Sequence, residues 1–191
     1  RTNKLTDYVW LTDQTISIGS WSYTEDLQIK SGKGMMQELI DIVSKNGQLL
    51  LNISPKADGT IPGDQRETLL TMGAWLQNYG EAIYDTRPFI EFGQGPTRLE
   101  KSGGFVARNT LEYTPQDIRY TTSGNAVYAI QMGAPEPNSA ITLEHFGVAH
   151  RSDQLQIRSV SMLGSSETIS YELQDDGLVL KAPDSSPDDI A

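Results

Sequence analysis

The sequence contains no cysteine. That excludes disulfides, thiolate zinc sites and cysteine nucleophiles, while leaving the redox compartment open because some secreted proteins lack Cys altogether. Basic residues are scarce as well: Lys and Arg total 15 against 25 Asp and Glu, a formal charge of −10. With no block of Lys or Arg anywhere, a phosphate-backbone partner is not expected. Long apolar runs are missing, and none approaches the roughly 20 residues that a bilayer-spanning helix needs. Histidine occurs only twice, as His145 and His150. Five residues apart in a strand-and-turn region, they lack the one-face pairing that helical spacing gives to metal ligands. Walker-type loops, dinucleotide fingerprints, paired-histidine metal motifs and serine-elbow signatures are all absent.

What is present suits a globular protein. The 191 residues are 37% hydrophobic, enough for one to one and a half domains at roughly 150 residues each. Met35, Met36, Leu39, Ile40, Ile42 and Val43 recur at helical spacing, which predicts a helix over 35–44. Lys45-Asn46-Gly47 then supplies a cation and residues that tolerate a left-handed cap. The unbroken run Leu49–Ile53, closed by Pro55, predicts a strand buried on both faces, as in parallel sheets, with Asn52 as its polar intruder. Ala57-Asp58-Gly59-Thr60 reads as a turn, and Asp64 with Glu67 reads as the capping box of a second helix. Leu69, Leu70, Met72, Trp75 and Leu76 form the apolar stripe of that helix. This is the rhythm of an α/β architecture, yet the first 92 residues hold at most two such strands, whereas a complete (β/α)8 barrel takes about 250 residues.

After Phe92 the texture changes. Gly93-Gln94-Gly95-Pro96 reads as a linker, and apolar residues then alternate with period two. Ala126, Tyr128, Ile130 and Met132 share one face, and Ile169–Leu173 repeats the pattern. Turn signals at Ser123-Gly124-Asn125, Gly164-Ser165-Ser166 and Asp175-Asp176-Gly177 separate these runs, so this half reads as an antiparallel sandwich. The chain opens at Arg1 without Met and stops at Ala191 after an acidic Ser/Pro-rich stretch, which is expected of a piece of a longer polypeptide.

Candidate chemistry is concentrated near the start. Carboxylates such as Asp41, Asp58, Glu67, Glu81 and Glu91 are plentiful, and any two suffice in principle for an acid and a nucleophile. Most have local explanations, as helix-start groups or turn formers. The better signal is aromatic: Trp10 and the tetrad Ser20-Trp21-Ser22-Tyr23 lie in a segment rich in Ser, Thr and Gly. Indole plus hydroxyl donors is what a sugar pocket needs, because a carbohydrate offers apolar C–H faces and hydroxyls together. Core packing competes with that role for Trp21, and it is the default for Trp75 and Tyr79.

Several segments carry a resemblance. Trp10-Leu11-Thr12-Asp13, Ser20–Tyr23, Val43–Gly47, the run Leu49–Pro62 (LLLNISPKADGTIP) and Gly80-Glu81-Ala82-Ile83-Tyr84 resemble, in order and spacing, the C-terminal part of the catalytic domain of family 29 α-L-fucosidases. The second half, with Tyr113–Thr121 and Val160–Ser165, is similar to the β-sandwich appended to that barrel. The implied fold class is an α/β barrel fragment, the last strands and helices of a TIM-like barrel, over residues 1–92, followed by an all-β antiparallel sandwich over 93–191. The implied activity is that of a retaining exo-α-L-fucosidase, which removes terminal α-linked fucose from oligosaccharides or glycoconjugates by double displacement between carboxyl groups about 5–5.5 Å apart. On this alignment both the Asp nucleophile and the acid/base precede Arg1. No catalytic residue is assigned here, Asp13, Glu25 and Asp26 included, and the chain alone is expected to be inactive.

The resemblance does assign substrate-binding residues. Trp21 matches the aromatic that packs on the fucose ring and its methyl group, and Tyr23 is expected to support the tetrad from behind. Ser22 departs from the Gly common at that position. Asn52 either points into the barrel mouth or bonds to the Pro55–Gly59 turn. The surroundings Thr12-Asp13 and Tyr23–Asp26 look more like the branch of the family that prefers α-1,3/1,4-linked fucosides. Implied partners are a fucosylated oligosaccharide or glycoconjugate and the N-terminal portion of the same enzyme, with no nucleic acid and no membrane span. No cofactor is expected, and calcium in the sandwich is not readable from spacing. A secreted, periplasmic or lysosomal location suits such an enzyme better than a cytoplasmic one. The rival reading is a non-catalytic carbohydrate-binding or structural fragment whose catalytic half is absent. A barrel segment with one or two strands also has unpaired edges and an uncovered apolar face, so it is not expected to fold alone.

Overall fold

In the computed structural model, which describes residues 2–99, 111–149 and 156–191, the first elements are strand β1 (Trp10–Thr15) and a short ribbon of β2 (Ser17–Ile18) with β3 (Gln28–Ile29). Helix α1 (Gly32–Ser44) and strand β4 (Gly47–Asn52) follow. The helix starts three residues before the apolar stripe because Ser31 caps it, its Oγ accepting from the Gly34 N–H at 3.1 Å. It ends where Asn46 turns left-handed at φ 69°. Strands β1 and β4 pair in parallel from Trp10↔Gly47 to Thr15↔Asn52, with α1 in the crossover and Met35, Met36, Ile40 and Ile42 buried.

Two expectations for this region fail. Strand β4 is not buried on both faces: Leu50 is 57% exposed, and on β1 Leu11 is 60% exposed. Among the described residues β1 is the one strand paired with β4, so the outward face of the pair lacks cover. Helix α2 (Gly63–Tyr79) has Pro62, not Asp64, at its N-cap position and no side-chain cap bond. Asp64 lies inside the first turn, its Oδ1 accepting from the Gln65 N–H at 2.8 Å, where its charge complements the helix dipole. The inward face of α2 is Gln65, Thr68, Met72 and Trp75, whereas Leu70 is exposed. Trp75 is buried as expected, with the Tyr79 ring centroid 5.3 Å away.

A 3-10 turn (Gly80–Ala82) leads to β5 (Arg87–Gln94), which forms an antiparallel sheet with β6 (Ile118–Ser123) and β7 (Ala126–Gln131) in the order β5-β6-β7. Gly93-Gln94 is therefore not a linker but the end of a strand, paired with Arg119 and Ile118. A Cβ at Gly93 would strike the Ile118 carbonyl oxygen, and Gly95 adopts φ 112° with its backbone against Asp117. These glycines answer to close approach and positive φ rather than to looseness. The period-two alternation holds only at the end of β7, where Ile130 is buried and Met132, just beyond the strand, is buried too; Tyr128 is half-buried, and Ala126, beside the Gly124 turn, is exposed.

A buried ion cluster ties α1 to this sheet. Lys45, read as the cation at the helix end, is buried with its Nζ 2.7 Å from both Asp41 oxygens. Arg119 on β6 donates from Nε to Asp41 Oδ1 at 2.7 Å. Both cations lie over the Phe92 ring, at 4.9 and 5.6 Å from its centroid. Asp41 is thus consumed by structure.

Asp117 closes the entry to β6. Its buried carboxylate accepts the Thr97 N–H (2.9 Å) and hydroxyl (2.7 Å) and the Thr114 N–H (2.9 Å) and hydroxyl (3.0 Å). Burial pushes its pKa up, but the four hydrogen bonds together outweigh that and hold it below the ordinary carboxylate value. A depressed folded-state pKa stabilises the protein above the unfolded value, and that stabilisation is lost as the pH falls through the folded value. Denaturant midpoints measured below about pH 4 should therefore fall more steeply for the wild type than for Asp117→Asn; equal slopes would refute this role.

The chain divides into two compact units, Arg1–Met132 with Ile190 and Gly133–Asp189 with Ala191. The β5-β6-β7 sheet belongs to the first. The second holds β8 (Ala140–Leu143), β9 (Tyr171–Leu173) and β10 (Leu178–Lys181), antiparallel in the order β8-β10-β9. Leu143, Phe146, Ile169, Leu178 and Ala182 are its buried apolar residues. The strand expected at Ile169–Leu173 begins only at Tyr171, and its three residues are exposed. His145 lies in a 3-10 turn, Glu144–Phe146, and His150 lies outside the described residues. No helix among the described residues is long and apolar enough to cross a membrane.

Candidate functional site

Because β1 and β4 run parallel, Thr15 and Asn52 meet at their shared C-terminal ends, where α/β architectures gather functional loops. The segment after β1 folds back on itself there. Thr15 Oγ1 and Ser17 Oγ are hydrogen-bonded at 2.9 Å, and Ser17 Oγ donates to the Ser20 carbonyl. Ser20 Oγ in turn donates to the Ser22 carbonyl at 2.8 Å and accepts from the Ser22 N–H at 3.2 Å. Serine hydroxyls bonding to nearby backbone are the local chemistry of tight turns.

Two donors then converge on one backbone oxygen. Asn52 Nδ2 donates to the Trp21 carbonyl at 2.9 Å and to Thr15 Oγ1 at 3.2 Å, while Ser54 Oγ donates to the same carbonyl at 3.2 Å. A carbonyl oxygen has two lone pairs, so the Trp21 backbone is pinned to the end of β4 while its side chain remains only half-buried. Asn52 does not bond to the Pro55–Gly59 turn. That turn closes on itself: Asp58 Oδ1 accepts from the Thr60 N–H (3.0 Å) and hydroxyl (2.7 Å), and Lys56 N–H donates to the Thr60 carbonyl at 2.9 Å. The Thr60 hydroxyl and N–H hold the Asp58 carboxyl below its ordinary value.

Tyr23 is 37% exposed, with Lys56 Nζ 5.7 Å from its ring centroid. It borders a hollow of about 170 Å³ shared with Thr24, Asp26, Lys56, Asp64 and Gln65. Of the predicted site residues, the structure joins Trp21 to Asn52 and turns Tyr23 towards Lys56. Asp13, Glu25 and Asp26 are exposed. Among the described residues no three His, Asp or Glu side chains gather where they could hold a metal ion.

The sequence reading missed Ser54 and Gln65. Both are buried, and the side-chain amide of Gln65 pairs twice with the Ser54 backbone, at 2.8 and 2.9 Å. A signal existed for Gln65: with Thr68, Met72 and Trp75 it completes an i, i+3, i+7, i+10 stripe, which places it on the inward face of α2. Ser54, between Ile53 and Pro55, carried no comparable mark.

Two family models match the chain, "Alpha-L-fucosidase" over residues 1–81 and "Alpha-L-fucosidase C-terminal domain" over residues 112–191. The human protein named "Tissue alpha-L-fucosidase" is 30% identical over 187 residues, 96% of this chain and 35% of that protein. The "Alpha-L-fucosidase" of Branchiostoma floridae is 30% identical over 190 residues, 97% of this chain and 37% of that protein. Among solved structures, the Thermotoga maritima α-fucosidase in complex with fucose superposes with a TM-score of 0.70 at 28% identity, covering 95% of this chain and 37% of that one. The chain therefore spans little more than a third of the length of these relatives.

Proposed function

Since the chain belongs to the α-L-fucosidase family, we propose that it forms the C-terminal part of a retaining exo-α-L-fucosidase and supplies one wall of the fucose pocket. The Asp nucleophile and the carboxylic acid/base then come from polypeptide preceding Arg1. The observation that carries this reading is the pinned Trp21: two side-chain donors fix its backbone at the C-terminal ends of parallel strands and leave the indole half-buried. An indole face held in that way suits the C–H face and methyl group of fucose. Because only contacts stronger in the transition state raise the rate, the ring is expected to hold the sugar part-way to its oxocarbenium-like form.

In this reading residues 1–92 provide the last strands and helices of a (β/α)8 barrel and residues 93–191 form the sandwich domain, although β5 (Arg87–Gln94) runs across that boundary and the β5-β6-β7 sheet packs within the first compact unit. The exposed Leu11 and Leu50 support it: two leucines left uncovered on a two-stranded parallel pair call for further strands. The N-terminal portion of the enzyme would cover that face, and this chain alone would be inactive. The substrate is a terminal α-linked fucose on an oligosaccharide or glycoconjugate, with Thr12-Asp13 and Tyr23–Asp26 favouring α-1,3/1,4 linkages, met in a secreted, periplasmic or lysosomal setting.

The test is turnover of a chromogenic α-L-fucoside by the full-length enzyme, with the first-formed sugar anomer followed by NMR. Release of α-fucose supports double displacement, and β-fucose as first product overturns it. Absence of turnover combined with glycan binding would favour the carbohydrate-binding reading instead. Comparing α-1,2- with α-1,3/1,4-linked fucosides decides the linkage preference.

A further inference from the structure

We infer that Gln65, on helix α2, is a positioning residue for Trp21 and acts through Ser54. The inference rests on the fucose-packing reading of Trp21 for its kinetic consequence, but not for its structural one. Gln65 is only 1% exposed. Its Oε1 accepts from the Ser54 N–H at 2.8 Å and its Nε2 donates to the Ser54 carbonyl at 2.9 Å. A planar amide thus pairs with one residue's backbone as a neighbouring strand would.

The location explains the need. Ser54 lies two residues beyond the end of β4 and directly before Pro55, so its buried N–H and C=O have left the ladder, and an unpaired pair of such groups is costly. By holding that backbone, Gln65 fixes the direction of Ser54 Oγ, which donates to the Trp21 carbonyl beside Asn52 Nδ2. The path runs from helix to indole-bearing loop in two links made by three hydrogen bonds, all inside the first unit. No link requires Gln65 to touch the sugar.

Amide chemistry supplies a discriminating variant. In Gln65→Glu, a neutral carboxylic acid accepts from the Ser54 N–H and donates to its carbonyl, reproducing the native pattern. An ionised carboxylate sets oxygen against oxygen and breaks one bond. Burial favours the neutral acid, so the native pattern should hold at acid pH and fail as the pH rises. The titratable groups that share the hollow with Gln65 are Tyr23, Asp26, Lys56 and Asp64. They are common to both proteins, so the wild type controls for them.

The experiment uses the full-length enzyme labelled with 5-fluorotryptophan, the Trp21 resonance being assigned by its loss in Trp21→Phe, with spectra and kcat/KM recorded from about pH 5 to about pH 9. In Gln65→Glu the Trp21 resonance is expected to match wild type at the acid end and to shift and broaden at the alkaline end, with kcat/KM there lowered about tenfold, the scale of one lost hydrogen bond. Ser54→Ala, which keeps the backbone pair, should shift the resonance at every pH. If neither variant moves the resonance relative to wild type, the inference is wrong. In a Trp21→Ala background Gln65→Glu should cost no further activity; a full additional loss would show that it acts elsewhere and would also overturn it. If the resonance moves but kcat/KM does not, the positioning stands and the fucose-packing role of Trp21 is what fails. Should Gln65→Glu not fold, Gln65→Met, which removes both bonds to the Ser54 backbone, is read instead: a Trp21 resonance shifted at every pH supports the inference, and an unmoved one overturns it.

Discussion

Asp41→Ala is expected to be among the most destabilising single substitutions in the chain, costing about 3–5 kcal/mol, the range for removing one partner of a buried ion pair. The reason is arithmetic of charge. Asp41 is the carboxylate between Lys45 and Arg119, at 2.7 Å from each. Deleting it leaves two buried cations beside one another over the Phe92 ring, whose quadrupole offsets part of the charge. Lys45→Met should behave differently, because it leaves a one-to-one Asp41–Arg119 pair and replaces the surplus cation with apolar volume. Its cost is expected to stay below about 1.5 kcal/mol, the range of tolerated apolar fits. Urea unfolding of the full-length protein followed by tryptophan fluorescence measures both. Equal shifts for the two variants would show that the cluster is not organised around Asp41.

Trp21→Ala is expected to have the largest effect on turnover, lowering kcat/KM about ten- to a hundredfold, which is the loss of about 1.5–3 kcal/mol of apolar contact at 1.4 kcal/mol per tenfold. Melting should change little: the network at this loop uses the Trp21 carbonyl, which alanine keeps, and the side chain is only half-buried. If the indole holds a distorted sugar, the loss falls mainly on kcat. A rise in KM alone would mean uniform binding of substrate and transition state. A variant with wild-type kinetics would refute the role altogether.

Local patterns were readable where they answer to local forces. The stripe Met35–Val43 gave α1, the alternation Ala126–Met132 gave β7, and Asp58-Gly59-Thr60 closed the turn expected of it, since each depends on residues within one or two turns of chain. Misreadings arose where a distant partner decides. Gly93-Gln94 looks like a linker until β6 arrives, more than twenty residues later, to pair with it. Lys45 looks like a simple helix-end cation until Arg119 completes a cluster around Asp41. Asp64 resembles an N-cap, but Pro62, with φ pre-set for the turn, already occupies that position. At the site, Trp21 stood out through its aromatic setting and Asn52 as a polar residue in an apolar strand. Ser54 and Gln65 did not, because a hydrogen-bond path between strand end and helix leaves no period in a sequence.

The sequence by itself determined the family, the mix of helix and strand, and the exclusion of thiol chemistry, because composition and short-range spacing are properties of the chain before it folds. Only the tertiary structure decided that two donors meet on the Trp21 carbonyl, that Gln65 stands behind them, and that one carboxylate lies between two buried cations. Those facts depend on which atoms come within 3 Å of one another. That proximity is set when α1, α2 and the sheets pack, and it is paid for by burial spread over the whole first unit rather than by any one motif.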